Sequence, residues 1–188
     1  MTTYILHGGE TKKESINNDK FFKRMTISVR DQANILLVYF ARKESLWKGK
    51  FKIDKENFNK ASKNNKFNFI LASSDLDVFS KQVKSADVIY MHGNKTNLLL
   101  QSLSKVRNLD DLWKNKIIGG SSAGANVLSR FYYNFSEDKI EEGLGILSYK
   151  VFVHSDTVSQ EMINKLRQHQ NEIETIILPE TEFKVIRK

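Results

Sequence analysis

Lys116-Ile117-Ile118-Gly119-Gly120-Ser121-Ser122-Ala123-Gly124-Ala125-Asn126-Val127-Leu128 places a Gly-x-Ser-x-Gly motif between a short β-branched run and a helical pattern. A nucleophile elbow needs that context: a strand enters a sharp turn, the serine hydroxyl projects from it, and a helix follows. Gly120 and Gly124 permit the tight turn and the close approach of the helix. Ser122 is therefore the candidate nucleophile, with free backbone N–H groups and the positive helix end near a developing oxyanion. A plain strand-to-helix connection or a Gly/Ser phosphate turn would use similar residues. The glycine spacing of a dinucleotide fingerprint and the Lys-Ser/Thr ending of a phosphate loop are both absent.

A serine hydroxyl is a poor nucleophile until a base takes its proton. Of the four histidines, His154 closes the apolar run Val151-Phe152-Val153 downstream of the elbow and is the first candidate. His7 and His92 also end apolar runs, where a pocket-lining or hydrogen-bonded structural role is the alternative; His169 falls on a polar helix face. To orient the imidazole, the carboxylates between serine and histidine are Glu137, Asp138, Glu141 and Glu142, with Glu137 ranked first and Asp138 second because they follow Phe135-Ser136 in an expected loop. A metal site built from His7, Glu10, His92 and His154 matches no ligand spacing. The reading therefore contains neither a metal nor an organic cofactor.

The elements that must position these residues follow from periodicity. Short apolar runs predict strands at Tyr4–His7, Ile35–Phe40, Phe67–Ala72, Val88–His92, Lys116–Gly119, Lys150–His154 and Thr175–Leu178, with Glu182–Arg187 as a final edge strand. Between them, Ile16–Ser28, Leu76–Lys84, Leu98–Val106, Ala123–Tyr132 and Val158–His169 read as helices, and Leu109–Asn115 as one further helical turn or two. This alternation predicts an α/β fold, a mostly parallel sheet with helices on both faces. No repeat or proline-rich linker divides the chain, so one domain over residues 1–188 is expected. In such sheets ligands sit beyond the carboxyl ends of the strands. His7-Gly8-Gly9-Glu10, His92-Gly93-Asn94, Gly120-Ser121-Ser122 and His154-Ser155-Asp156 occupy those ends.

Composition narrows the remaining classes. With no cysteine in 188 residues, disulfides, thiolate metal sites and a cysteine nucleophile are all excluded. The longest apolar run, Ile35 to Ala41, is too short for a bilayer span, and no secretory leader is visible, so a cytoplasmic location is the default expectation. The net charge of +8 is concentrated upstream: residues 1–116 carry 22 Lys+Arg against 12 Asp+Glu. Because 23 of the 30 basic residues are lysine, the planar arginine fork that reads bases is scarce, and nucleic acid is not the expected partner. The aromatic and lysine interleaving of residues 51–67 is read as a solvated helix and loop whose Phe residues face the core.

Gly120-Ser121-Ser122-Ala123-Gly124-Ala125-Asn126, Gly143-Leu144-Gly145-Ile146-Leu147, Val153-His154 and Ile177-Leu178-Pro179-Glu180 together resemble the serine peptidase family of dipeptidase E and cyanophycinase. Val88-Ile89-Tyr90-Met91-His92-Gly93-Asn94-Lys95-Thr96 is similar to that family's Gly-Gly-Asn-Thr loop. The resemblance implies a class I glutamine-amidotransferase-like three-layer fold in which serine replaces the elbow cysteine. It also implies hydrolysis of a small peptide through an acyl-enzyme. Ser122 then maps to the nucleophile, His154 to the base, and Ala123 with Gly93 or Asn94 to the oxyanion donors. The triad acid maps near Glu137. The chain differs in carrying His92 where the loop has glycine, in a shorter stretch between Asn134 and Gly143, and in lacking an arginine in Val158–Met162, so Asp-Xaa specificity is not implied. A homodimer is compatible with this reading. The competing expectation is a catalytically weakened relative that binds a small ligand or partner at the same cleft.

Overall fold

The computed structural model describes residues 1–62 and 66–188. In chain order its strands are β1 (Thr3–His7), β2 (Asn34–Val38), β3 (Asn68–Leu71), β4 (Val88–Met91), β5 (Ile117–Ser121), β6 (Phe131–Asn134), β7 (Lys139–Glu142), β8 (Lys150–Phe152), β9 (Thr175–Ile177) and β10 (Phe183–Arg187). The α-helices are α1 (Ile16–Thr26), α2 (Trp47–Ala61), α3 (Leu76–Ser85), α4 (Thr96–Leu103), α5 (Leu109–Leu112), α6 (Ala123–Leu128) and α7 (Gln160–Gln168). The larger sheet runs β10-β1-β5-β4-β2-β3 and is parallel except for β10; the smaller runs β7-β6-β8-β9. Among the described residues no helix is long and apolar enough to cross a membrane.

Strands covered on both faces read as continuous apolar runs, and Ile35-Leu36-Leu37-Val38 and Val88-Ile89-Tyr90-Met91 are fully buried for that reason. Successive strand residues face opposite sides, which explains the adjacent glycines of β5. A Cβ on Gly119 would stand 2.2 Å from Met25 Sδ of α1, and one on Gly120 would stand 2.4 Å from the Gly124 backbone of α6. Each glycine thus lets a helix sit close against its own face of the strand that carries Ser122. Behind α1, the rings of Phe21, Phe22, Phe58 and Tyr90 pack edge to face. Phe58 of α2 is wholly buried, as the reading of residues 51–67 requires, with residues 63–65 lying outside the described part.

Two local expectations are corrected. The helix after the elbow stops at Leu128 instead of reaching Tyr132, because Ser129 Oγ bonds the Asn126 and Phe131 carbonyls and ends it. The aromatic run Phe131-Tyr132-Tyr133 then enters β6, where ring-bearing side chains fit the pleated surface. Second, residues 131–142 form a β6–β7 hairpin, clipped by the Tyr132 hydroxyl on Glu141 Oε2 at 2.5 Å. Phe131, Tyr133 and Phe152 of this smaller sheet pack with Ile163 and Leu166 of α7 in a second apolar cluster.

Candidate active site

Ser122 has φ 49° and ψ −108°, the constrained turn between β5 and α6 that projects its hydroxyl. Its amide donates to the His7 carbonyl at 2.9 Å, and its own carbonyl accepts from the Ala125 and Asn126 amides, so the turn is tied at both ends. The smaller sheet brings His154 to it: the residue follows β8 in the left-handed region, φ 52°, and its amide donates to the Gly8 carbonyl at 3.2 Å. Ser122 Oγ and His154 Nε2 are 3.0 Å apart. Gly9 makes this approach feasible. A Cβ there would lie 2.1 Å from His154 Cε1, and its φ of 134° is open to glycine alone.

The carboxylate on the far side of the imidazole is not one of those expected. Glu180 Oε1 lies 3.1 Å from His154 Nδ1, with both side chains about four-fifths buried. β8 and β9 pair in parallel, so the residues that follow them share one edge, and the Glu180 amide is held by Asp156 Oδ1 at 2.8 Å. Glu137 lines the same cavity as Ser122 and His154, but its carboxylate pairs with Lys139 Nζ at 2.5 Å on the exposed hairpin turn. Asp138 faces away. It accepts the Tyr133 hydroxyl and lies 3.7 Å from Lys165 Nζ, and these two groups hold its carboxyl below the usual range. Glu141 accepts from Tyr132 and Asn134, and Glu142 ends β7 in solvent. The signal for Glu180 lay in the sequence: like His154 it sits just past an apolar strand, behind the only proline. It lies downstream of His154, outside the stretch between serine and histidine.

Of the three expected oxyanion donors, the Gly93 amide is engaged, donating to Ser121 Oγ at 3.1 Å. Ser121 also meets the Tyr90 hydroxyl at 3.0 Å, and burial, with the nearby Asp54 charge, pushes that phenol up. Gly93 is required for space, since a Cβ would stand 2.8 Å from Ser122 Cβ. Among the described residues the amides of Asn94 and Ala123 have no acceptor.

Among the described residues, His7 and His92 belong to no cluster that could hold a metal ion. His7 is buried between Asn18 Oδ1, 2.8 Å from Nε2, and the Gly9 amide, 3.1 Å from Nδ1. Burial above all pushes it down to about 4. His92 Nδ1 meets Asp54 Oδ2 at 2.9 Å, where the Tyr39 hydroxyl also donates. His169 packs edge-on against Phe131.

Two cavities flank Ser122 and His154. One, of about 450 Å³, is walled by Asn94 to Asn97, Asn126 and the β6–β7 turn; the other, of about 330 Å³, by the Gly9–Lys12 turn, Arg42 and His92.

The sequence profile of peptidase family S51 matches residues 5–187. No curated protein matches the chain. Among solved structures, a peptidase from an acI-B1 actinobacterium superposes with a TM-score of 0.69 at 20% identity, over 100% of this chain and 84% of that one. A putative peptidase E protein from Listeria monocytogenes EGD-e superposes with a TM-score of 0.67 at 18% identity, over 100% of this chain and 98% of that one. Both share the mixed α/β architecture with its mostly parallel sheet.

Proposed function

The chain belongs to peptidase family S51 and is a serine-type peptidase, and from that premise we propose that it hydrolyses small peptides with Ser122 as nucleophile, His154 as base and Glu180 as the acid of the triad. The observation that carries the reading is one unbroken line of contacts, from Glu180 Oε1 to His154 Nδ1 at 3.1 Å and from His154 Nε2 to Ser122 Oγ at 3.0 Å. A carboxylate only accepts, so the hydrogen between it and the ring sits on Nδ1. That leaves the Nε2 lone pair facing the serine hydroxyl.

The steps follow from this tautomer. Ser122 Oγ bonds the peptide carbonyl carbon as its proton passes to His154 Nε2. Glu180 steadies the imidazolium. The oxyanion is assigned to the Ala123 and Asn94 amides, the two expected donors with no acceptor among the described residues. His154 then returns the proton to the leaving amine, the C–N bond breaks, and Ser122 carries the acyl group as an ester. Water attacks that ester with His154 again accepting the proton, and as the tetrahedral adduct collapses His154 gives that proton to Ser122 Oγ, releasing the acid and restoring the serine.

The test is turnover of a dipeptide panel by the unaltered chain and three variants. Ser122→Ala is expected to lower kcat by several orders of magnitude and Glu180→Gln by about a hundredfold or more. Glu137→Gln is expected to retain the Ser122-dependent rate within a few-fold. Equal losses in Glu180→Gln and Glu137→Gln would refute the assignment of the acid. A folded chain that turns over no peptide and whose Ser122 escapes a phosphonate label would favour ligand binding at the same cleft.

A further inference from the structure

Asp54 is a buried carboxylate that the proposed reaction does not use. It lies on α2, 1% exposed, and among the described residues no lysine or arginine pairs with it. Burying a charge costs stability unless partners compensate it. Its Oδ2 meets both the Tyr39 hydroxyl and His92 Nδ1 at 2.9 Å, while Oδ1 is buried with no partner among the described residues. Burial, ahead of the Asp54 charge, pushes the Tyr39 phenol up, so it stays a donor. A carboxylate only accepts, so the hydrogen shared with His92 sits on Nδ1.

The two donors come from neighbouring strands. β2 and β4 pair in parallel with Val38 opposite Met91, so Tyr39 and His92 each stand one residue beyond that pair, their ring centres 5.6 Å apart. One carboxylate oxygen therefore reaches both. The residues after His92 form the loop beside Ser122. In it the Gly93 amide donates to Ser121 Oγ at 3.1 Å and the Lys95 amide to the Ala41 carbonyl at 3.2 Å. Between them stands Asn94, exposed, whose amide has no acceptor among the described residues. With no anchor of its own, that amide takes its place from its neighbours, and the side chain that enters the loop is His92, 5% exposed and hydrogen-bonded to Asp54. We propose that Asp54 is a positioning residue: acting through the His92 ring, it fixes the Gly93–Asn94 loop and with it the Asn94 amide assigned to the oxyanion. The inference rests on the reading of Ser122 as the nucleophile and of Asn94 as an oxyanion donor. Displacing such a donor by about 1 Å is enough to cost about a hundredfold in rate.

The test joins a reading of the loop that needs no turnover to the kinetics of a dipeptide panel. In Asp54→Leu, the Gly93 and Lys95 amides are expected to exchange hydrogen at least about tenfold faster by NMR, with the Ala125 amide of the elbow unchanged as the reference. In the same variant kcat should fall at least about tenfold while KM stays within about threefold. Asp54→Asn, which keeps an oxygen to accept the Nδ1 hydrogen, should restore most of the rate. Tyr39→Phe, which takes the other donor from the same carboxylate and leaves the His92 contact, should keep kcat within about threefold. If Asp54→Leu does not fold, Tyr39→Phe, Asp54→Leu and His92→Phe are combined, because removing a buried polar group together with its partners is often neutral for stability, and the expectations are the same. Unchanged exchange at Gly93 and Lys95, or an unchanged kcat, overturns the proposal. So does recovery of the rate of His92→Gly by added imidazole, which would make the ring a carrier of protons and not a tether. Failure of the unaltered chain to cleave any peptide overturns the peptidase mechanism separately, with the exchange of Gly93 and Lys95 still deciding whether Asp54 holds the loop.

Discussion

Lowering the pH from 7.5 to 4 should destabilise the fold through one side chain, His7. Asn18 donates both amide hydrogens, to the Glu10 carbonyl at 2.9 Å and the Lys13 carbonyl at 2.7 Å, so its Oδ1 is an acceptor for His7 Nε2–H. His7 Nδ1 must then accept the Gly9 amide at 3.1 Å. A proton on Nδ1 would turn that acceptor into a donor pointing at an N–H, inside a site with no exposure. The group is pushed from 6.5 down to about 4, chiefly by burial. Its unfolded form therefore takes up a proton from about pH 6.5 downward, while the folded form resists until about pH 4. Over that window the unfolded state binds more protons, so stability falls as pH falls; above it the His7 contribution is flat. The difference of about 2.5 units corresponds to roughly 3 kcal/mol.

The assay is urea unfolding at pH 7.5, 5.5 and 4 for the unaltered chain and for His7→Gln, which cannot titrate. Between the extremes the unaltered chain should lose roughly 3 kcal/mol more than the variant. Comparing the two slopes cancels the titration of every other group. Parallel slopes would refute the reasoning, since they would mean that His7 carries the same proton in both states. The consequence reaches the active site, because the Gly8–Gly9 turn that His7 holds is the surface against which the His154 ring rests.

Two further outcomes follow from the geometry. Gly9→Ala drives a Cβ into the His154 ring, 2.1 Å away, at a φ of 134°, so kcat in a peptidase assay should fall by at least about tenfold, with a smaller change in KM. Lys150→Met removes a fully buried ammonium that donates to the Arg167, His169 and Gln170 carbonyls at 2.8, 2.6 and 3.2 Å and so closes the end of α7. Leaving those acceptors with fewer donors should cost about 2–4 kcal/mol in urea unfolding, with the loss of α7 protection visible first in hydrogen exchange.

The elbow was legible because its signal is local: thirteen consecutive residues, 116–128, hold the strand end, both glycines, the serine and the helix start. The alternation of apolar runs and amphipathic stretches likewise carries the parallel sheet, since each strand and each covering helix leaves its own period. The β6–β7 hairpin was hidden because Ala125 to Tyr132 satisfies a helical period; only the Ser129 bonds and the pairing of Phe131 and Tyr132 with β8 decide against it. Glu180 was hidden for a related reason. Its meeting with His154 depends on β8 pairing with β9 in parallel, a contact between segments 26 residues apart that no local period encodes.

The three strand-ending histidines make the same point in chemical terms. His7, His92 and His154 each follow an apolar run and precede small or polar residues, so the sequence offered them as near equivalents. The fold separates them through the partner each ring meets. Asn18, 11 residues away, donates all its hydrogens elsewhere and leaves His7 a neutral strut. Asp54, 38 residues away and buried, fixes His92 at a cavity wall. Glu180 accepts the Nδ1 hydrogen of His154 from a partly open position, and only there does the opposite nitrogen meet a serine hydroxyl. The role of each imidazole is thus set by the acceptor on its far nitrogen. Exchanging those acceptors, as in Glu180→Gln, should therefore impair the reaction even though every histidine and the serine remain in place.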